Sequence, residues 1–361
     1  MKTKHLLTAL AALSLTAFAQ EVPRTFTFKA PDAKTVEFRK LWDKPLPMTR
    51  DVDGVWSVST ALAPGIYEYT FVVDGKNQAD PANPVTRPAV SPYASVLEIP
   101  GATKQVWDVQ EVPRGKIEKH SYDSKALGRK REFSVYTPPG YDAAADAKFP
   151  VLILLPAEGD RFETWTIWGK ADRILDNLIA AKIAVPMVVI MPDGHPIGMT
   201  ELKAKVPGKR DEAIAAFRKD LFDDALPLLA AKYRVKADAP NVAIAGMSCG
   251  FGQSLTLTTG LTNLDRIAWI GALAADKPVA ELVKPTLDDA AGTNAKMRLL
   301  YLPIGKSDFL LKVNQTFSED LKTRGIKHEW ELTEGGHSWS MYRGYLANFL
   351  GKIFREHSAK L

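Results

Sequence analysis

The stretch Asn241-Val242-Ala243-Ile244-Ala245-Gly246-Met247-Ser248-Cys249-Gly250 decides the fold. Its first half is a short apolar run, the pattern of a strand buried on both faces. Its second half is Gly-x-Ser-x-Gly, which works as a nucleophile elbow only between a strand and a helix. The chain from Phe251 onward is predicted to supply that helix. The glycines permit a tight turn, the serine takes a strained backbone conformation, and the helix N-terminus favours a developing oxyanion. Ser248 is therefore the candidate nucleophile.

Outward from this turn, apolar runs at 151–155, 187–191 and 299–304 read as further strands, as does 328–332, and 133–137 reads as a strand stopped by Pro138-Pro139-Gly140. Helical spacing marks 171–181, 212–233 and 341–354. Strands alternating with helices predict an α/β domain with a mainly parallel sheet, an α/β-hydrolase domain over 102–361. Upstream the character differs. Short alternating runs at 25–29, 35–38, 55–58, 66–73 and 94–99, with the Asp74-Gly75 turn, predict a small immunoglobulin-like β-sandwich over 20–101. Residues 81–92 hold Pro81, Pro84, Pro88 and Pro92 and read as an irregular crossing loop.

Residues 1–19 read as a removable signal peptide. Lys2 and Lys4 give a positive start, residues 6–15 are an apolar run too short to span a bilayer, and Ala17-Phe18-Ala19 fits the cleavage pattern. Cleavage after Ala19 predicts a secreted or periplasmic protein. Cys249 is the only cysteine, so no intrachain disulfide forms and no lipid anchor is expected. The formal charge is +5 over 361 residues, and two of the positive groups lie in the leader. That is no nucleic-acid footprint. With 46% hydrophobic and 25% charged residues, the chain is also no disordered, collagen-like or polytopic membrane protein. Oligomeric state is open.

A serine is inert without a base. In α/β-hydrolases the acid and then the histidine follow the serine, so of the six histidines only His328, His337 and His357 qualify. His328 falls in a predicted strand and His357 at the C-terminus. His337 lies in Gly335-Gly336-His337-Ser338-Trp339, where flanking glycines let the backbone carry an imidazole over the sheet edge. The acid should end a strand between the two. Asp308 follows the run 299–304 and would hold the imidazole tautomer. Asp276 is the competitor.

The domain from about 105 to 356 resembles carbohydrate esterase family one, the esterase D and feruloyl or acetyl-xylan esterase group. The resemblance rests on several matching stretches. They are Val135-Tyr136-Thr137-Pro138-Pro139-Gly140-Tyr141, Asp176-Asn177-Leu178-Ile179, Val189-Ile190-Met191-Pro192-Asp193-Gly194, Ala245-Gly246-Met247-Ser248, Gly260-Leu261-Thr262-Asn263-Leu264 and the His337 loop. It implies a Ser248–His337–Asp308 triad, no cofactor, and acylated plant cell-wall polysaccharide as partner. Residues 21–100 resemble a family-48 carbohydrate-binding, isoamylase N-terminal module through Gly65-Ile66-Tyr67-Glu68-Tyr69-Thr70-Phe71, Val73-Asp74-Gly75 and Asp80-Pro81-Ala82-Asn83-Pro84.

One stretch departs from the family. Where it carries His-Gly-x-Gly, whose backbone completes the oxyanion hole, this chain has Pro156-Ala157-Glu158-Gly159. Pro156 has no N–H to give. The expected donors are the N–H groups of Cys249 and Ala157, with Ala157 strained if the loop demands positive φ there. Glu158 would oppose the developing charge if it pointed inward. The residues thus allow a catalytically impaired, carbohydrate-binding relative of the esterases, and a siderophore esterase of the enterochelin type, beside the secreted feruloyl or acetyl esterase. Trp165, Trp168 and His195 are candidate substrate-binding residues, the tryptophans as stacking platforms. Trp42 and Trp56 could play that part in the sandwich. No Cys/His ligand cluster calls for a metal.

Overall fold

The computed structural model describes residues 21–41, 43–86, 94–195, 209–248 and 254–355. The predicted signal peptide, Trp42, Cys249, the predicted helix start at Phe251 and His357 lie outside the described residues. So does part of the proline-rich loop.

The N-terminal region is two facing antiparallel sheets. In one, Val55–Leu62 is central and pairs with Val22–Lys29 on one side and the short Thr49–Arg50 on the other. The other is built on Gly65–Val73, which pairs with Val36–Lys40, Lys76–Gln78 and Ser95–Ile99. Alternation sends Phe26, Phe28, Phe38, Tyr69 and Phe71 inward, where their rings meet edge-on or stacked. Trp56 joins this core and donates Nε1–H to the Ala30 carbonyl at 2.9 Å, so it offers no ring face to a sugar.

The second region carries one eight-stranded sheet. In chain order its strands are β1 (Lys116–Ser124), β2 (Arg129–Thr137), β3 (Val151–Leu155), β4 (Val188–Pro192), β5 (Val242–Met247), β6 (Trp269–Leu273), β7 (Leu299–Gly305) and β8 (Glu329–Thr333). In space they run β8-β7-β6-β5-β3-β4-β2-β1. The six strands from β8 to β4 pair in parallel, and the β1–β2 hairpin adds to β4 antiparallel. The sheet is therefore mixed, with its parallel part at the centre.

Each central strand is buried on both faces, which explains its unbroken apolar run. Leu152 and Leu154 of β3 face one helix layer, with Ala171–Ala180 and Trp339–Leu350. Val151, Ile153 and Leu155 face the other, with Ile214, Phe217, Leu229 and Leu257. The arrangement is three layers, helix on sheet on helix.

Two elements differ from the sequence reading. β6 was not expected, because Trp269-Ile270-Gly271-Ala272-Leu273 mixes two small residues into a short run. Gly271 is needed there, since a Cβ would stand 3.0 Å from the Phe349 ring. The single helix predicted for 212–233 is instead Lys209–Lys219, a π-helical stretch Asp220–Ala225 and Leu226–Lys232. Pro227 has no N–H and its ring crowds the preceding turn, and the widened helix accommodates it. The same stretch aims Asp220 at the Tyr122 hydroxyl and Asp224 at Ser124 Oγ, tying the helix to β1.

The two regions meet in a largely apolar seam. Ile66 and Val96 of the sandwich belong to the same apolar cluster as Trp168, Trp339 and Leu346. Arg343, 1% exposed, sits inside the seam. It donates Nε–H and an Nη2–H to the Trp168 carbonyl at 2.9 and 2.6 Å, and pairs through Nη1 with Glu98 Oε1 at 2.7 Å. Asn177 pins the connecting segment by donating to the Val106 and Asp108 carbonyls at 2.7 and 3.0 Å. Asp176 beside it accepts from Gly115 N–H and the Tyr136 hydroxyl; burial dominates and raises its carboxyl pKa. Removing the guanidinium leaves the Trp168 carbonyl buried without these donors. Arg343→Ala is expected to lower unfolding free energy by about 2–4 kcal/mol. It should also open residues 102–115 to limited proteolysis below the main transition. Urea denaturation and timed digestion measure both effects.

Candidate active site

The parallel strands deliver their C-terminal ends to one edge, and every candidate side chain of the triad arrives there. β5 ends at Met247, and Ser248 follows with φ +57°, the left-handed region that a non-glycine residue occupies only when held. Two bonds hold it. Its N–H donates to the Leu273 carbonyl at 3.1 Å, and its carbonyl accepts from Asp276 N–H at 3.2 Å. Gly246 allows the close packing beneath. A Cβ there would collide with Thr256 Oγ1 and stand 3.0 Å from Leu155 Cβ.

Beyond β7, Asp308 donates its N–H to the Gly305 carbonyl at 3.1 Å and turns its carboxylate inward. Oδ1 accepts from Leu310 N–H at 2.9 Å, and Oδ2 lies 2.8 Å from His337 Nδ1. Beyond β8, Gly335 takes φ +95° and its carbonyl accepts from Ser307 N–H at 2.9 Å. A Cβ on Gly305 would run into that carbonyl, so the two loops approach closely only because both positions are glycine. His337 is thereby carried over the sheet edge, with Nε2 2.7 Å from Ser248 Oγ. A carboxylate at Nδ1 places the ring proton there and leaves Nε2 to accept from the serine hydroxyl. All three side chains are largely removed from water.

Asp276 contributes through its backbone, and its Oδ1 accepts from Lys277 N–H. The residue bonded to the imidazole is Asp308. The other described histidines have separate partners. His120 meets the Tyr233 hydroxyl at 2.6 Å, and His328 meets Ser318 Oγ at 2.8 Å. Two residues of the site were missed in the sequence. Phe309, 58% exposed, lies with its ring centroid 4.4 Å from that of His337, and Tyr342 stands edge-on to the imidazole at 5.3 Å. Adjacency to Asp308 was the available signal for Phe309.

The altered loop follows β3, whose Leu155 pairs with Gly246, so Ala157 emerges beside the Ser248 elbow. Its turn is closed by Asp160 N–H to the Ala157 carbonyl at 3.2 Å. The positive φ, +86°, falls on Gly159, and Ala157 is free of it. The expected strain at Ala157 is thus corrected, because a glycine stands where the turn needs one.

Three expected substrate contacts are also corrected. Trp165 is fully buried, donates to the Leu155 carbonyl at 2.8 Å and packs edge-on to Trp339; it is core. Trp168 lies in the domain seam with its Nε1 3.3 Å from the Thr86 carbonyl. His195 is buried, and both ring nitrogens are engaged by protein, Nδ1 by Asp193 and Nε2 by Gly159 N–H. Among the described residues, no group of three or more His, Cys, Asp or Glu side chains is placed to hold a metal ion. No described helix is long and apolar enough to cross a membrane.

The fold is that of the α/β-hydrolases, and Ser248, His337 and Asp308 lie in one hydrogen-bonded line at its sheet edge. Residues 124–353 match the Esterase family, and the chain belongs to that family. An endo-1,4-β-xylanase/feruloyl esterase of Xylanibacter ruminicola is 28% identical over 339 residues, 91% of this chain. The match spans only 44% of that relative's length. The structure is also similar to a ferulic acid esterase of Anaeromyces mucronatus solved with ferulic acid. That similarity has a TM-score of 0.58 at 20% identity and covers 70% of this chain and 94% of the other. An enterochelin esterase of Shigella flexneri aligns over 92% of both chains with a TM-score of 0.69 at 19% identity. At such identities these two likenesses establish the fold.

The packing under the elbow sets a stability test. Gly246→Ala should cost about 1–3 kcal/mol by overpacking against Thr256 and Leu155. Adding Thr256→Ala should recover part of the loss, because it removes the atom in closest conflict. Chemical denaturation of the two variants checks both the sign and the recovery.

Proposed function

We propose that this chain is an exported serine esterase that removes acyl groups, feruloyl or acetyl, from plant polysaccharide or its oligosaccharides. The observation that carries the reading is the hydrogen-bonded line from Ser248 Oγ through His337 to Asp308, with the serine held in a left-handed turn at a strand end. Ser248 Oγ attacks the ester carbonyl as His337 Nε2 takes its proton. The alcohol then leaves with that proton, and an acyl-serine remains. Water, deprotonated by the same nitrogen, attacks the acyl-serine, and the acid leaves as Ser248 recovers its proton. Asp308 keeps the ring in the required tautomer and stabilises the imidazolium. The Ala157 N–H is the described donor assigned to the developing oxyanion; Cys249, the other donor expected from the sequence, lies outside the described residues.

The feruloyl or acetyl assignment draws on the relatives. One is named as a xylanase and feruloyl esterase, another as an acetyl esterase, and one structural neighbour was solved with ferulic acid. Exposed Phe309 beside His337 supplies an apolar ring face next to the reacting centre, suited to stacking on a sugar or phenolic ring of the substrate. A leader cleaved after Ala19 fits a substrate that lies outside the cell. The turn at Gly159 spares Ala157 a left-handed backbone and favours an active enzyme over an impaired carbohydrate-binding relative.

A second reading is a siderophore esterase, because the likeness to the enterochelin esterase spans both regions of the chain. Hydrolysis of a cyclic catecholate trilactone in preference to methyl ferulate and acetylated xylan would replace the first reading by the second.

Ser248→Ala should reduce hydrolysis of p-nitrophenyl acetate and methyl ferulate to background. Equal rates in variant and wild type would overturn the serine mechanism. Asp308→Asn should lower kcat by about 10³–10⁴-fold. Loss of one aromatic contact in Phe309→Ala should raise KM for feruloylated arabinoxylan oligosaccharides about 2–10-fold, with a smaller change in kcat. Steady-state kinetics on that substrate decides it.

A further inference from the structure

The segment after β4 clasps the segment after β3. Asp193, Gly194 and His195 leave the sheet beside Pro156–Gly159, and the contact is close: a Cβ on Gly194 would stand 3.4 Å from Pro156 Cγ. Gly159 N–H donates to His195 Nε2 at 2.8 Å. That bond needs a lone pair on Nε2, so the ring proton sits on Nδ1 and points at Asp193 Oδ1, 3.1 Å away.

The histidine is fixed from several other directions. Its N–H donates to Asp193 Oδ1 at 3.0 Å, and its carbonyl accepts from Arg129 Nη2 and Arg131 Nη1, each at 2.8 Å. Arg131, 3% exposed at its side chain, is itself anchored by Asp220 at 3.2 Å and lies 3.6 Å from Asp193 Oδ2. Burial alone would raise the Asp193 pKa. The His195 hydrogen bond and the Arg131 charge outweigh it and hold the carboxyl below its usual range. Asp193 therefore stays an acceptor for the Nδ1 proton.

We infer that His195 is a positioning residue for the oxyanion hole: by accepting the Gly159 N–H it fixes the turn that aims the Ala157 N–H at the reacting carbonyl oxygen. Ala157 starts that turn, since its carbonyl accepts from Asp160 N–H, and Gly159 is its left-handed corner. A loop built on Pro156 and Ala157 has no glycine at the donor itself. Its geometry is held instead by a side chain from the neighbouring strand end. His195 touches no reacting atom and would act only through the placement of a backbone donor, whose value lies in the transition state.

The inference rests on the esterase reading, and the experiment separates the two. His195→Asn keeps an N–H near the Nδ1 position for Asp193 and places no acceptor at the Nε2 position. His195→Gln can bring Oε1 near that position. In the full chain, His195→Asn should lower kcat for p-nitrophenyl acetate about 10–100-fold, the scale of a misplaced group, with KM within about twofold. Affinity for a trifluoromethyl ketone, which forms an oxyanion on Ser248, should fall in step. Affinity for the product ferulate should hold. His195→Gln should recover most of kcat. Melting temperatures within a few degrees of wild type exclude simple unfolding. If His195→Asn melts early, comparison with an equally destabilised Leu229→Ala protein, whose cavity lies in the opposite helix layer, decides: an equal loss of kcat in both overturns the inference. So does a His195→Asn protein with wild-type kcat, or one in which KM alone rises. A wild type that hydrolyses no ester overturns the esterase reading and the inference with it.

Discussion

The catalytic end depends on a single backbone constraint, the left-handed conformation of Ser248. A non-glycine residue in that region costs on the order of 1–2 kcal/mol. The cost is met because β5 is paired in parallel on both sides and cannot relax. Leu273 of β6 accepts the serine N–H, Asp276 returns a bond to the serine carbonyl, and β3 packs against Gly246 from the other side. The hydroxyl is lifted out of the sheet toward Nε2. The triad is a by-product of strand order: β5, β7 and β8 end on one edge, and their loops need few residues to bring three side chains together.

Glycine placement on this edge follows from contact between loops. Gly305 and Gly335 let the aspartate and histidine loops touch, and the bonds between them fix the Nδ1–Oδ2 distance without a long side chain. The same economy is absent from the loop after β3, where proline and alanine occupy the start of the turn. There the constraint is supplied by rigid φ at Pro156, by one left-handed glycine two residues past Ala157, and by packing from Gly194. A loop can therefore reach a defined shape by local glycine freedom or by clamping from a neighbour, and this chain uses both within one site.

The hydrogen-bonded line was legible in the sequence because its members sit in strand-to-loop transitions, where apolar runs stop abruptly at Gly246 and Gly305 and a short strand gives way to Gly335-Gly336. The same reasoning failed for the tryptophans. Trp165 and Trp168 follow the altered loop in sequence, but their four-residue stretch is a single helical turn that drives Trp165 into the core and Trp168 into the seam. Sequence position near a site gives no direction for a side chain. β6 escaped notice because Gly271 and Ala272 weaken its apolar signal while packing against Phe349 demands small residues. The role of His195 was hidden for another reason. Its partners, Gly159 and Arg131, are 36 and 64 residues away and meet it only through the order of β2, β4 and β3.

The sandwich and the catalytic centre share one helix. Trp339–Leu350 begins two residues after His337, and its Tyr342 stands against the imidazole. The next residue, Arg343, binds Glu98 of the sandwich, and a Cβ on Gly65 would stand 3.4 Å from the Ser340 hydroxyl. A shift of the sandwich must therefore move the helix or break a buried arginine's bonds. Moving the helix shifts Tyr342 and the Gly335–His337 loop that leads into it. The helix cannot tilt freely, since Tyr345, Leu346, Phe349 and Leu350 are locked against the sheet. Tight packing of this kind transmits small displacements instead of absorbing them. The β-domain is thus part of the frame that holds the imidazole over Ser248, whatever ligand its outer surface meets.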